Sequence, residues 1–203
     1  MNTRIGNMIG SALALMALTS VVWAQQQVSD EERLRKMAEQ EQSVIGPVQE
    51  HKLLAGMTGK WDKDIKFWPA PGAAPMSMKG ACDNKLILGG RFLKSEDIGT
   101  GSPIETLQIM GFDRRVGKYT FVGYDNFGTY YVTAQGAFDK DKNLLALQGE
   151  EQDPGQNRSQ KYDIVFHFVS PTKYVSEVVF KMESPGGGHS EFKVAEITYT
   201  KSQ

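Results

Sequence analysis

Three histidines, one cysteine and seven tyrosines are the side chains of this 203-residue chain best suited to bind a metal, attack a substrate or move a proton. Their spacing assembles no reaction centre. His51 stands alone two residues before Leu53 in a short helical segment and is expected on an exposed helix face. His167 shares a strand parity with Asp163, on the side read as outward, and a two-residue His/Asp pair is short of a metal's ligand set. His189 follows Gly186-Gly187-Gly188. It is the position from which an axial haem ligand would come, given an open apolar lumen, but no haem motif accompanies it. Cys82 comes at an alternate position after Met76, Met78 and Gly80, with no base beside it, and reads as a small buried apolar side chain. No nucleophile, base and orienting group fall together, and no two carboxylates share a clear location. No catalytic residue, metal or cofactor is therefore assigned.

The aromatic residues carry more. Trp61, Ile65, Phe67, Tyr119, Phe121, Tyr130, Tyr162, Phe166, Tyr174, Ser176 and Phe180 fall on strand parities consistent with one interior. An apolar wall with several hydroxyls is the make-up of a small-molecule pocket, with area for affinity and polar groups for orientation. The same residues would equally fill a solid core. Lys63 shares the parity of Trp61 and Ile65, so an inward Lys63 needs a partner, with Glu105 or Glu177 as candidates. A basic side chain from the last strand, Lys193 or Lys201, is placed to stack on Trp61.

Other local patterns read as turn chemistry. Gly186-Gly187-Gly188 has no following Lys-Ser/Thr and no helix, so it is a hairpin loop and not a phosphate cradle. Asp139-Lys140-Asp141-Lys142-Asn143 lacks the sixth-position Gly of a calcium loop, where Leu144 stands. Asp125-Asn126-Phe127-Gly128 suits a tight turn in which Asn and Gly take positive φ.

These residues need a scaffold, and the sequence describes one. Met8–Trp23 is an apolar run after the single positive charge of Arg4, and Val22-Trp23-Ala24 offers small residues at a cleavage site. The pattern predicts a secretory signal peptide over 1–24, no stable membrane span after its removal, and a periplasmic or secreted protein. A charged helical leader is expected over 25–45, opened by the capping box Ser29-Asp30-Glu31-Glu32. Gly46-Pro47 breaks it, and a second helix is expected over Glu50–Met57 with Leu53, Leu54 and Met57 on one face. From Gly59 onward, alternating runs separated by turn residues predict about ten strands with no crossover helices.

Sequential antiparallel pairing of that many strands would leave two long edges unless the sheet closes. A closed antiparallel barrel over 46–203 follows, with short N-terminal helices, and barrels of this size hold one small ligand. In the last strand Phe192 and Val194 differ in parity from Ile197 and Tyr199, which predicts a bulge near Ala195-Glu196. The balance of 23 basic and 24 acidic side chains argues against a nucleic-acid binder, and a mean hydropathy of −0.39 against a bundle of membrane spans. Oligomeric state is open.

Gly59-x-Trp61 after a short helix resembles the opening of lipocalin-like (calycin) barrels. Leu86-Ile87-Leu88-Gly89-Gly90-Arg91-Phe92-Leu93, Asp125-Asn126-x-Gly128-Thr129, Gly136-x-Phe138-Asp139 and Gly149-Glu150-x-x-Asp153-Pro154 together resemble the bacterial family called domain of unknown function 1579. The resemblance implies an antiparallel lipocalin-like barrel, often exported, and carries no established catalytic residues. Three functional readings follow. The leading one is an exported barrel that carries or sequesters a small, mostly apolar ligand. The second is a barrel enzyme using lumen Tyr and carboxylate groups as acid and base. The third is a solid-core structural or interaction protein.

Overall fold

The computed structural model describes residues 29–41, 45–99, 102–153, 158–183 and 189–202. The expected signal peptide, its cleavage site and Gly186-Gly187-Gly188 lie outside these residues, as does the side chain of His189. The chain divides into two units, Met1–Gly46 and Pro47–Gln203. In the first, helix α1 spans residues 29–41. It carries the helical ion pairs Lys36–Glu32 and Arg35–Glu39, each at 3.1 Å, and exposes Leu34 and Met37.

The second unit opens with helix α2, His51–Gly56, one residue shorter at each end than the apolar spacing predicts. Ten strands follow: β1 Gly59–Phe67, β2 Met76–Ile87, β3 Phe92–Asp97, β4 Thr106–Asp113 and β5 Lys118–Asp125, then β6 Tyr131–Asp139, β7 Leu144–Asp153, β8 Arg158–Ser170, β9 Lys173–Glu183 and β10 His189–Lys201. Each pairs antiparallel with its sequence neighbour, and β1 pairs with β10, so the sheet is a closed barrel. The turn residues read from the sequence are where the chain reverses. Leu88, Gly89 and Gly90 take φ of 50°, 67° and 83° between β2 and β3, a left-handed run that two glycines make affordable. In β10 the register slips between Lys193 and Ala195, a bulge at Val194 that reconciles the two parities of the last strand.

The two ends of the barrel are built differently. At the end where α2 sits, the connections are the short turns 88–91, 114–117, 140–143 and 171–172. At the other end they are longer, 68–75, 98–105 and 126–130 among them. Asp139 organises one short turn by accepting from the amides of Asp141 and Lys142 at 3.0 and 3.1 Å, the charged hairpin expected there. At the opposite end the 125–128 turn works differently from expectation. Asn126 is not in positive φ. Its side chain instead accepts from the Glu105 amide and donates to the Pro103 carbonyl, both at 3.1 Å, which ties two neighbouring loops together.

Candidate functional site

The interior begins at a floor made by α2. Leu54 and Met57 are buried on its barrel-facing side. The helix is tied down at both ends. Tyr119 Oη donates to the Glu50 carbonyl at 2.9 Å. Trp61 Nε1 and Asn84 Nδ2 both donate to the Met57 carbonyl, at 2.9 and 3.0 Å, so the orphaned C-terminal end of the helix is satisfied from the barrel wall. Above it the rings touch in sequence. Trp61 meets Tyr174 edge-on at 4.8 Å, Tyr174 stacks on Tyr199 at 4.2 Å, and Phe168 and Phe166 close in at 6.0 and 6.4 Å. At the α2 rim Lys201, the register partner of Trp61, sets its Nζ 5.4 Å from the Trp61 ring centre, as expected of a basic residue on the last strand, while Lys193 sits over Trp68 instead.

His51 belongs to this floor. The expected exposed helix position is wrong: His51 is buried, its ring edge-on to Phe112 at 5.9 Å, and its Nδ1 accepts from the Val48 amide at 3.1 Å. It helps open α2, whose N-cap Glu50 makes no side-chain cap. A lone His on a short helix gives no hint of this, because the residue it caps lies before the helix.

One step further in, the interior turns polar. Lys63 is 5% exposed and paired with Asp97, which is 13% exposed. The expected partners, Glu105 and Glu177, are elsewhere. Glu177 is on the outer face, where Lys193 and His167 approach it. Asp97 also accepts from the Thr106 amide at 3.2 Å, which fixes its carboxylate. Register explains the pairing: Asp97 lies opposite Cys82, and Cys82 opposite Trp61, so three neighbouring strands bring Asp97 to within one step of Lys63. Gly80, directly opposite Lys63, leaves room for the long side chain; a Cβ there would approach Lys63 Cε to 3.1 Å.

Around this pair the neutral groups stay neutral. Burial pushes the Cys82 thiol up to about 11, against a bond to Ser95 and the Lys63 charge. Burial also drives the Tyr174 and Tyr199 phenols well up, with their mutual proximity adding to Tyr174. Asn84 Oδ1 is buried without a hydrogen-bond partner among the described residues.

The wall above changes character with height. Phe121, Ala134, Leu147, Ile164 and Tyr162 are buried on β5–β8. Tyr162 lies flat across Gly149, where an added Cβ would meet its ring at 2.3 Å, and its hydroxyl donates to the Thr133 carbonyl at 2.9 Å. That phenol is held up to about 12, first by burial. On the opposite side of the barrel, exposure grows towards the far end. Along β1, Trp61 and Lys63 are buried while Ile65 and Phe67 are half-buried. Along β9, Tyr174 and Ser176 are buried while Val178, Phe180 and Met182 are half-buried. Phe192, Ala195 and Ile197 on β10 repeat the trend.

Ten of the eleven interior residues expected from the sequence thus face one interior, by their register and burial. They divide by level. Trp61, Tyr119, Tyr174 and Phe166 build the floor; Ser176 joins the polar layer; Phe121 and Tyr162 line the buried wall; Ile65, Phe67 and Phe180 line its half-open side. Tyr130 is the exception. It precedes β6 in the 126–130 loop and is 56% exposed, because the strand begins only at Tyr131 and its alternation does not extend into the loop. Missed altogether were Lys63's true partner Asp97, and Asn84, whose polar types gave no signal until register placed them.

The family model described as protein of unknown function (DUF1579) matches residues 46–201, from the residue before the barrel unit to its last strand. The chain belongs to this DUF1579 family. No curated protein matches it. DUF1579 membership and the closed ten-stranded meander together establish the lipocalin-like barrel, and they assign no residue a role. For this DUF1579 chain, what the interior can do rests on its own side chains.

Proposed function

We propose that this DUF1579 barrel is an exported binding protein that carries or sequesters a small, mostly apolar ligand. The observation that carries the reading is the one-sided gradient of exposure inside the barrel. The α2 end is sealed by rings and a bonded helix, while inward apolar residues at the opposite end, Phe67, Val178, Phe180 and Phe192 among them, remain half-accessible. Such a wall offers apolar area with polar groups beneath it, the Lys63–Asp97 layer, to orient what enters. The acid–base enzyme reading has less support. The buried thiol and phenols nearest the charged pair keep their protons at neutral pH, so none is an activated nucleophile.

Native mass spectrometry of protein purified from its own host compartment tests the reading. A small molecule is expected to co-purify, and a replacement ligand is expected to raise Tm. If nothing co-purifies and no compound from an apolar library raises Tm, the carrier reading fails. Export is checked separately by N-terminal sequencing, with Gln25 expected as the first residue.

A further inference from the structure

We propose a second binding site, on the outer face of β5–β9, that takes a neutral oligosaccharide. An open hollow of about 800 Å3 lies there, within the size range of small-molecule sites. Its floor is a register-aligned row: Thr120 pairs with Gln135, Gln135 with Gln148, and Gln148 with Asp163. These residues alternate with the buried Phe121 and Tyr162, so the row belongs to the face opposite the lumen. A hydroxyl, two amides and a carboxylate in one line present donors and acceptors at the spacing of adjacent strands, about 4.8 Å. That suits a ligand rich in hydroxyls.

Two further observations narrow the class. First, the charges beside the row balance: Lys161 and Lys181 stand with Glu150 and Asp163, and Lys181 Nζ bonds Asp163 at 2.8 Å. An anionic or cationic ligand would break that balance, whereas an uncharged one keeps it. Second, the hollow adjoins an exposed aromatic pair. Val122 and Thr133 line it, and two residues further along the same strands, on the same face, stand Tyr124 and Tyr131. They face each other across the hairpin with ring centres 5.8 Å apart, and they are 45% and 61% exposed. Sugar rings present C–H faces that stack on such rings while their rim hydroxyls bond to amides and carboxylates. Aromatic platform, polar row and neutral charge coincide on one side of the hairpin.

The test uses the full chain and three named probes, cellohexaose, maltohexaose and chitohexaose, titrated by calorimetry. At least one is expected to bind with a Kd in the millimolar range or tighter. Tyr124→Ala with Tyr131→Ala, and separately Gln148→Ala, are expected to weaken it roughly tenfold, while Phe180→Ala in the lumen leaves it unchanged. All three groove positions are solvent-exposed, so these variants are expected to keep the wild-type Tm. The proposal is overturned if no probe binds at millimolar concentration, or if binding survives both groove changes. It is equally overturned if the aromatic pair is needed for binding to phosphatidylcholine or phosphatidylglycerol vesicles and for no saccharide. Success or failure of the lumen as a carrier leaves this result untouched, because the two sites are on opposite faces of the sheet.

Discussion

The two ends of the barrel use the same strands to opposite purposes. At the α2 end inward polar groups bind the helix and its lead-in: Trp61 and Asn84 hold the Met57 carbonyl, Tyr119 holds that of Glu50, and His51 holds the Val48 amide. Connections there are short turns that add no freedom. At the far end the inward residues of β1, β9 and β10 are apolar and only half-buried, under longer loops. Under the proposed function, the difference teaches where stability and binding are separated in this fold. A closed sheet has no edges to protect, so one end is free to be packed and the other to remain open.

The sharpest way to break the comparison is substitution at the sealed end. Trp61→Ala removes a fully buried ring and one of the two bonds to the Met57 carbonyl at the end of α2, and is expected to cost about 3–5 kcal/mol in urea unfolding. A cost near that of a surface change would mean that α2 does not close the barrel. Asp97→Ala leaves Lys63 buried without its partner and is expected to cost about 3–5 kcal/mol. The combined change Lys63→Met with Asp97→Leu should recover most of that loss, since the pair contributes placement more than net stability. If the double variant is no better than the single one, the polar layer carries a stabilising role of its own.

Alkali sharpens the comparison next. The Cys82 thiol moves from 9.0 to about 11, and the Tyr119 and Tyr162 phenols from 10.0 to about 12. Folded-state values raised above unfolded ones mean that the folded protein holds these protons longer. The associated stability is complete below pH 9 and is lost as pH rises through the 9–12 window. Tm should be flat to pH 9 and fall above it. A fall that begins well below pH 9 would point to other groups.

The smallest stability change is expected at the open end. Phe180→Ala should cost only about 1–2 kcal/mol, because its side chain is half-exposed already, yet it should weaken binding of whatever lumen ligand native mass spectrometry identifies. A loss as large as that of Trp61→Ala, with affinity intact, would make the far end core as well.

How much of this was legible beforehand can be judged from single residues. A basic residue of the last strand over Trp61, expected as Lys193 or Lys201, and a bulge in β10, expected near Ala195-Glu196 and found at Val194, were readable because both follow from alternation along one or two strands. Tyr130 was misread because alternation holds only within a strand, and β6 starts at Tyr131. Asp97 as the partner of Lys63 was unreadable, since it depends on the joint register of β1, β2 and β3. The aromatic pair Tyr124 and Tyr131 went unremarked for a similar reason: only strand pairing sets them side by side on the outer face.

The chain's own order of residues determined the elements: the turn residues that cut it into strands, the alternation that divides inside from outside, and the short helix ahead of Trp61. These are local properties, fixed by φ preferences and by burial of every second side chain. The tertiary structure alone decided that His51 is interior and which acid neutralises Lys63. Those depend on the stagger of closed strands, a cooperative property of the whole ring that no single segment encodes.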